Sequence, residues 1–335
     1  MGFILDRSSV CAVVGHGSWA TALVKILSEN ERQVVWYVSN PSVREGIERS
    51  GRNPKYLRDV RFVKDRLCVV DNLDEAVRAA QVVVVAVPSA FLASVLAPLS
   101  VSLDDRFVVS AVKGIVPGEW LTPAEYVKKH CGVPFARIGI LGGPCHAEEV
   151  AQERLSYLTL ACKEAENAAL LADKFATSYI RVNTSADIYG VEYAAVLKNI
   201  YAIAVGMAVG LGYGDNFRAV LISNCAMEMA RFLEGTYPAP RDTNASAFLG
   251  DLLVTAYSQF SRNRALGLMI GKGYSVRSAQ MELGMVAEGY YASESIRHVN
   301  ASAAIDLPIA DMVHAVLYEG LVPKDAMRML TEKLI

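Results

Sequence analysis

From residue 11 to about residue 184, short runs rich in β-branched residues alternate with stretches of helical periodicity, and this alternation restricts the fold more than any other feature of the chain. The runs are CAVVG (11–15), QVVWYV (33–38), LCVV (67–70), QVVVVAV (81–87), RFVVSAV (106–112), ARIGIL (136–141), SYLTLAC (156–162) and YIRVN (179–183). Most are apolar nearly throughout, as strands buried on both faces should be. Strands separated by helix-length segments build βαβ units and a mainly parallel sheet. After residue 187 the alternation stops, and helical periodicity dominates over 190–211, 216–234, 249–260, 284–299 and 309–319. The expected architecture is α/β: a doubly wound, mainly parallel sheet of eight strands over 1–187, followed by an all-α domain over 188–335. The linker-like TYPAPRDTNAS (236–246) lies inside the helical half and reads as a surface loop.

Composition narrows the function. At 335 residues the chain has room for about two domains of roughly 150 residues. Its 53% hydrophobic and 20% charged residues exclude disorder. Thirty-three basic against 35 acidic residues, with no long block of one sign, disfavour a nucleic acid or a membrane surface as partner. The six cysteines come no closer than 14 positions, which excludes a CxxC pair and fits a reducing compartment. The five histidines form no HExxH pair and the acids form no cluster, so no metal is expected. MGFILDRSS carries an acid and a base early and does not read as a signal peptide. The longest uncharged apolar stretch, 200–211, is too short to span a bilayer. A soluble cytoplasmic protein without membrane insertion is the expectation.

The first run passes directly into Gly15-His16-Gly17-Ser18-Trp19-Ala20, a match to G-x-G-x-x-G/A at a strand-to-helix turn. Gly15 and Gly17 permit a tight turn and close approach of a pyrophosphate to amides at the helix N-terminus. The preceding strand, following helix and continuing βα alternation make a Rossmann-type dinucleotide site the reading, against an ordinary glycine-rich turn. The next strand ends at Val38-Ser39-Asn40, where an acid would bind the ribose of NAD and an arginine would favour NADP. Neither is there, leaving Ser39 at the cofactor's ribose end and the choice between NAD and NADP open. Arg44, one helical turn on, either swings back or lies in solvent.

In such sheets ligands lie beyond the carboxyl ends of the strands. The residues following three of them are Ser89 in VPSAF, Lys113 in SAVKG, and Gly142 to His146 in GGPCHAEE. Lys113 can aim an ammonium at an anionic ligand or lie in a solvated loop. Cys145 and His146 do not read as a nucleophilic dyad, since adjacent side chains at a helix start diverge. In GVEYAAVLKNIYAIAVG, Lys198 has Ala194, Ala195, Tyr201 and Ala202 one turn away on either side and no local carboxylate. Desolvation there favours the neutral amine, suited to exchanging a proton with a substrate hydroxyl, unless the side chain snorkels to water. Asp251 and Thr255 share a helix face and can orient a lysine or bond a polyol, or the acid can simply favour a helix N-terminus. Ser261-Arg262-Asn263-Arg264 either grips a phosphate or forms a solvated turn.

Taken in order, Gly15–Ala20, Lys113-Gly114, Gly143-Pro144, Lys198-Asn199, Leu249-Gly250-Asp251, Ser261–Arg264 and Val286–Gly289 closely resemble the bacterial NAD(P)-dependent glycerol-3-phosphate dehydrogenases over almost the whole chain. GVEYAAVLKNIYAIAVGMAVGLGYGDN and LGDLLVTAYSQFSRNR carry most of that likeness, and LPIADMVHAVLYEG is similar to the family's C-terminal segment. The resemblance implies interconversion of dihydroxyacetone phosphate and sn-glycerol 3-phosphate with NAD or NADP, supplying the backbone of glycerophospholipids. It implies Lys198 as proton carrier, grouped here with Lys113, Asp251 and Thr255 as the catalytic set. Lys113, Gly143, Cys145, Lys198, Asn199, Asp251, Ser261, Arg262 and Asn263 would hold the small phosphorylated three-carbon substrate. Ser18, Trp19, Lys113, Ala147, Arg262, Val286 and Glu288 would touch the cofactor, Glu288 near the adenosine ribose. A homodimer is left open.

Two departures stand out. Cys145-His146 replaces the family's usual serine or threonine followed by phenylalanine, and Val38-Ser39 replaces a basic residue often found near the end of the second strand. The first puts a hydroxyl contact to substrate in doubt, and the second an NADP preference. The rival readings are another dehydrogenase with a helical second domain, of the 3-hydroxyacid dehydrogenase or ketopantoate reductase type, and a dinucleotide sensor without turnover.

Overall fold

Valine-rich segments too short for helices pair into one sheet. The structure, a computed structural model, describes residues 5–335; the first four residues of the N-terminal MGFILDRSS lie outside the described residues. Each of the eight expected runs forms a strand: β1 (Cys11–Val14), β2 (Val34–Tyr37), β3 (Leu67–Val70), β4 (Val82–Val85), β5 (Phe107–Ser110), β6 (Ile138–Gly142), β7 (Ser156–Cys162) and β8 (Ile180–Ser185). Their order is β3-β2-β1-β4-β5-β6-β7-β8. All neighbours pair in parallel except β6 and β7, which run antiparallel with Gly139 opposite Cys162 and Gly142 opposite Thr159. The order reverses between β1 and β4, so the turn after β1 opens at the switch point where doubly wound sheets bind ligands. β1, β4 and β5 are buried throughout. One face packs Val13, Val84, Trp36 and Phe107 with Leu23 and Leu27 of the helix Ser18–Asn30. Ala12, Val35, Val70, Ala76 and Ala80 pack on the other.

The chain forms two compact units. One comprises the residues up to Val112 with Pro123–Ile188, the other Lys113–Thr122 with Tyr189–Ile335. The segment Lys113–Thr122 thus leaves the sheet after β5 and joins the helical unit, closed by a single antiparallel bridge between Val116 and Leu121. Its Trp120 stacks on His298, ring centroids 4.5 Å apart.

The second unit is built around the 23-residue helix Ile188–Gly210. A helix that is apolar all round is a buried one. By length and composition this helix could cross a membrane, contrary to the shorter span read from the sequence, yet 89% of its most apolar window is buried inside the fold. It crosses the helix Arg262–Gly271 with almost no side chain between the backbones. A Cβ on Gly206 would sit 2.1 Å from the Arg264 carbonyl oxygen, and one on Gly267 would sit 2.1 Å from that of Ile203. This close crossing fixes Lys198 and Asn199 relative to Arg262 and Asn263.

Four of the five expected helices are present with shifted ends, as Ile188–Gly210, Asp215–Thr236, Glu288–Asn300 and Pro308–Tyr318. The expected helix over 249–260 is instead a π-turn, Ser246–Gly250, running into the short helix Asp251–Tyr257. Arg262–Gly271, Val276–Leu283 and Pro323–Thr331 were not expected, being too short for a strong periodic signal. The surface loop over 237–245 is as expected. The helix Pro308–Tyr318 has no local side-chain cap; the buried Glu228 carboxylate supplies one, accepting from the amides of Ile309 at 2.8 Å and Ala310 at 3.0 Å.

Candidate active site

The first candidate region is the turn after β1. Gly15 has φ +123°, and a Cβ there would meet the Ala86 carbonyl oxygen at 2.5 Å, so both backbone strain and space demand glycine. Gly17 is different: its φ is −72° and a Cβ would meet nothing within 4 Å. Neither conformation nor protein packing calls for glycine at that position, which leaves room for a ligand. Gly17 is also the N-cap of the helix Ser18–Asn30 without a side-chain capping bond, so the amides of its first turn face a position suited to an anion. These features fit a dinucleotide pyrophosphate. Ser18 begins the helix and Trp19 is half-buried beside the turn.

At the end of β2, Ser39 is exposed and Asn40 caps the helix Pro41–Ser50 by accepting from the Val43 amide. Arg44 is ion-paired with Asp71 just beyond β3. Its guanidinium is therefore already engaged rather than held out for a 2′-phosphate. After β6, Gly143 has φ +105°, and a Cβ there would lie 2.7 Å from the Tyr157 carbonyl oxygen. Cys145 is buried, and its thiol donates to that same carbonyl at 3.2 Å. Ala147 starts the helix Ala147–Ala151.

The second candidate region lies within the helical unit. Lys198 and Asp251, expected on separate helices, form a buried ion pair through Nζ and Oδ1. Lys113 brings a second ammonium, its Nζ 3.7 Å from Asp251 Oδ2. Asp251 is 1% exposed, and its Oδ2 has no hydrogen-bond partner among the described residues. A buried carboxylate oxygen short of a donor is costly unless something supplies an O–H or N–H. Burial pushes the Lys198 ammonium down from 10.5 to about 7; Asp251 resists that shift and Lys113 reinforces it. An amine that titrates near neutrality can both give and take a proton. Thr255 is buried one turn from Asp251, but its hydroxyl donates to the Asp251 carbonyl at 2.6 Å and so braces the helix.

A relay of amides sets Lys113 in place. The Gly289 amide donates to Asn263 Oδ1 at 2.9 Å, Asn263 Nδ2 to Asn199 Oδ1 at 2.8 Å, and Asn199 Nδ2 to the Lys113 carbonyl at 2.9 Å. Four segments distant in sequence are tied by three bonds. Ser261 is the N-cap of Arg262–Gly271, its hydroxyl accepting from the Arg264 amide. Exposed Arg262 donates to the Val286 carbonyl at 3.1 Å, joining two of the expected cofactor residues. Glu288 opens the helix Glu288–Asn300.

A family model described as the NAD-dependent glycerol-3-phosphate dehydrogenase N-terminus matches residues 10–168, and one described as the C-terminus of the same enzyme matches 187–328. A glycerol-3-phosphate dehydrogenase [NAD(P)+] of Ectopseudomonas mendocina is 36% identical over 309 residues, 92% of this chain and 90% of that one. The Macrococcus caseolyticus enzyme of the same name is 33% identical over 92% of this chain and 94% of its own. The crystal structure of glycerol-3-phosphate dehydrogenase from Coxiella burnetii, 29% identical, covers 98% of this chain and 100% of that one with a TM-score of 0.90. With both halves matched and relatives above 30% identity spanning nine-tenths of its length, the chain belongs to the NAD-dependent glycerol-3-phosphate dehydrogenase family.

Proposed function

We propose that the protein interconverts dihydroxyacetone phosphate and sn-glycerol 3-phosphate with NAD(H) or NADP(H). The observation that carries this reading is the buried Lys198–Asp251 pair with Lys113 beside it, in a chain of this family. The nicotinamide cofactor supplies or accepts the hydride, and the open side of the Gly15–Gly17 turn, with Ser18 and Trp19, holds its pyrophosphate. In the reductive direction Lys198, as ammonium, gives a proton to the substrate oxygen as it gains negative charge. Lys113 adds positive charge near that oxygen. Asp251 holds Lys198 through Oδ1 and offers Oδ2 to a substrate hydroxyl, the donor that this oxygen lacks. In the oxidative direction neutral Lys198 takes the proton back. Arg262 binds the phosphate as a charge-assisted donor, and Asn263 and Asn199 position Lys113 through the amide relay. A cytoplasmic location, checked by cell fractionation, and a homodimer, checked by light scattering, go with this reading.

The test is NADH or NADPH oxidation by the purified protein on dihydroxyacetone phosphate, beside 3-hydroxyisobutyrate oxidation and ketopantoate reduction. Turnover of dihydroxyacetone phosphate alone supports the proposal. Turnover of either acid instead overturns it, and nucleotide binding without any turnover makes the protein a sensor.

A further inference from the structure

The three carbonyls of the glycine turn each accept a bond from an interior side chain. Trp36 Nε1 donates to the Gly15 carbonyl at 2.7 Å, Asn53 Nδ2 to that of His16 at 3.0 Å, and Thr21 Oγ1 to that of Gly17 at 2.8 Å. Trp36, Asn53 and Thr21 are all fully buried. They are also coupled. Asn53 Nδ2 donates a second bond to Thr21 Oγ1 at 2.8 Å, while Asn53 Oδ1 accepts from the amides of Lys55 and Tyr56 at 3.0 and 3.1 Å. Trp36 packs edge-on against Phe62, centroids 5.3 Å apart, and the Phe62 amide bonds the Gly51 carbonyl at 2.8 Å. The loop from Gly51 to Phe62 is thereby fastened behind the turn.

A trans peptide is planar, with its N–H directed opposite to its C=O. Fixing the carbonyls of residues 15, 16 and 17 toward the interior therefore directs the amides of His16, Gly17 and Ser18 the other way, to the side where Gly17 leaves open space. Successive amides so directed make a concave anion site. A free turn would have to order these peptides at the moment of binding, and preorganisation removes that cost. We infer that Trp36, Thr21 and Asn53 are positioning residues of the dinucleotide site, which hold the peptides of the turn with their N–H groups aimed at the pyrophosphate. None of the three touches the ligand. The inference rests on the proposed cofactor role of the turn.

The experiment uses the full-length enzyme. Thr21→Val keeps shape and removes the hydroxyl; Thr21→Ser retains it; Trp36→Phe keeps an aromatic ring and removes the indole N–H. For Thr21→Val and Trp36→Phe the KM and Kd for NADH should rise at least tenfold, while kcat at saturating NADH falls less than threefold and the KM for dihydroxyacetone phosphate holds. Thr21→Ser should restore NADH affinity to within about threefold. A role limited to folding would lower active enzyme without this split. A second measurement needs no variant to fold well: in ¹⁵N-labelled wild type, exchange of the Trp36 indole N–H with solvent should slow when NADH binds and not when dihydroxyacetone phosphate alone is added. Wild type that binds neither NADH nor NADPH by calorimetry overturns the cofactor reading and this inference together. Normal wild-type binding with unchanged NADH affinity in both variants, or an indole exchange rate indifferent to NADH, overturns the inference alone.

Discussion

The two candidate regions are made from opposite materials. The turn after β1 is six contiguous residues without a charged side chain, and what it offers a ligand is backbone amides. The cluster in the helical unit is three buried or half-buried charges from three segments, Lys113, Lys198 and Asp251, held by packing and an amide relay. A backbone site tolerates changes of side chain that point outward but not an added Cβ at Gly15 or a turned peptide. A charge cluster has the reverse sensitivity: its backbone can shift slightly, yet removing one charge leaves another buried without its partner, typically at about 3–5 kcal/mol.

The largest effect expected on the side-chain region is that of Lys198→Ala. General acid/base catalysis is usually worth about 10²–10⁴-fold, so kcat should fall by that factor while NADH affinity, a property of the other region, stays within about twofold. Retention of more than about a tenth of the activity would break the assignment. The mirror-image change is Gly15→Ala, which puts a methyl 2.5 Å from the Ala86 carbonyl oxygen at φ +123°. Calorimetry should show NADH affinity reduced by about thirtyfold or more, roughly 2 kcal/mol. If Gly15→Ala spares NADH affinity, the contrast between the regions fails on the backbone side.

The pH profile sharpens the charge side. Reduction of dihydroxyacetone phosphate needs the Lys198 ammonium, so its kcat/KM should fall as pH rises through about 7, and glycerol 3-phosphate oxidation should rise over the same window. Because Lys113 lowers and Asp251 raises the Lys198 value, Lys113→Met should move the inflection up and Asp251→Asn should move it down. Inflections that stay put in both variants would separate Lys198 from its neighbours. The smallest effect expected concerns cofactor choice. With Ser39 exposed at the end of β2 and Arg44 paired to Asp71, specificity constants for NADH and NADPH should differ by tenfold or less, about 1.4 kcal/mol. Should a larger ratio be found, Arg44→Ala would show whether the arginine leaves Asp71 for the 2′-phosphate.

The eight strands and the glycine turn were legible because their causes are local. Strand pattern, buried valines and a turn that only glycine can make are written in neighbouring residues, and Cys11 to Gly17 contains them all. Lys198 was legible in part: its apolar surroundings come from its own helix, one turn to either side. Asp251 was named as well, from its helix face and from the resemblance, but its direct pairing with Lys198 was not written in any local pattern, since it lies 53 residues away and follows a π-turn that the periodicity over 249–260 passes straight through. Residues 113–122 follow a strand in sequence yet pack with the helical unit, a choice no local pattern expresses. Trp36, Thr21 and Asn53 carried no signal at all, because a tryptophan in a strand, a threonine in a helix and an asparagine before proline are ordinary in their local settings. The sequence by itself thus determined the sheet, the turn and the dinucleotide class, for these depend on period and backbone conformation. Tertiary structure alone decided which charges face each other and which side chains hold the turn, because electrostatic and hydrogen-bond partners act over a few ångströms of space and are indifferent to their distance along the chain.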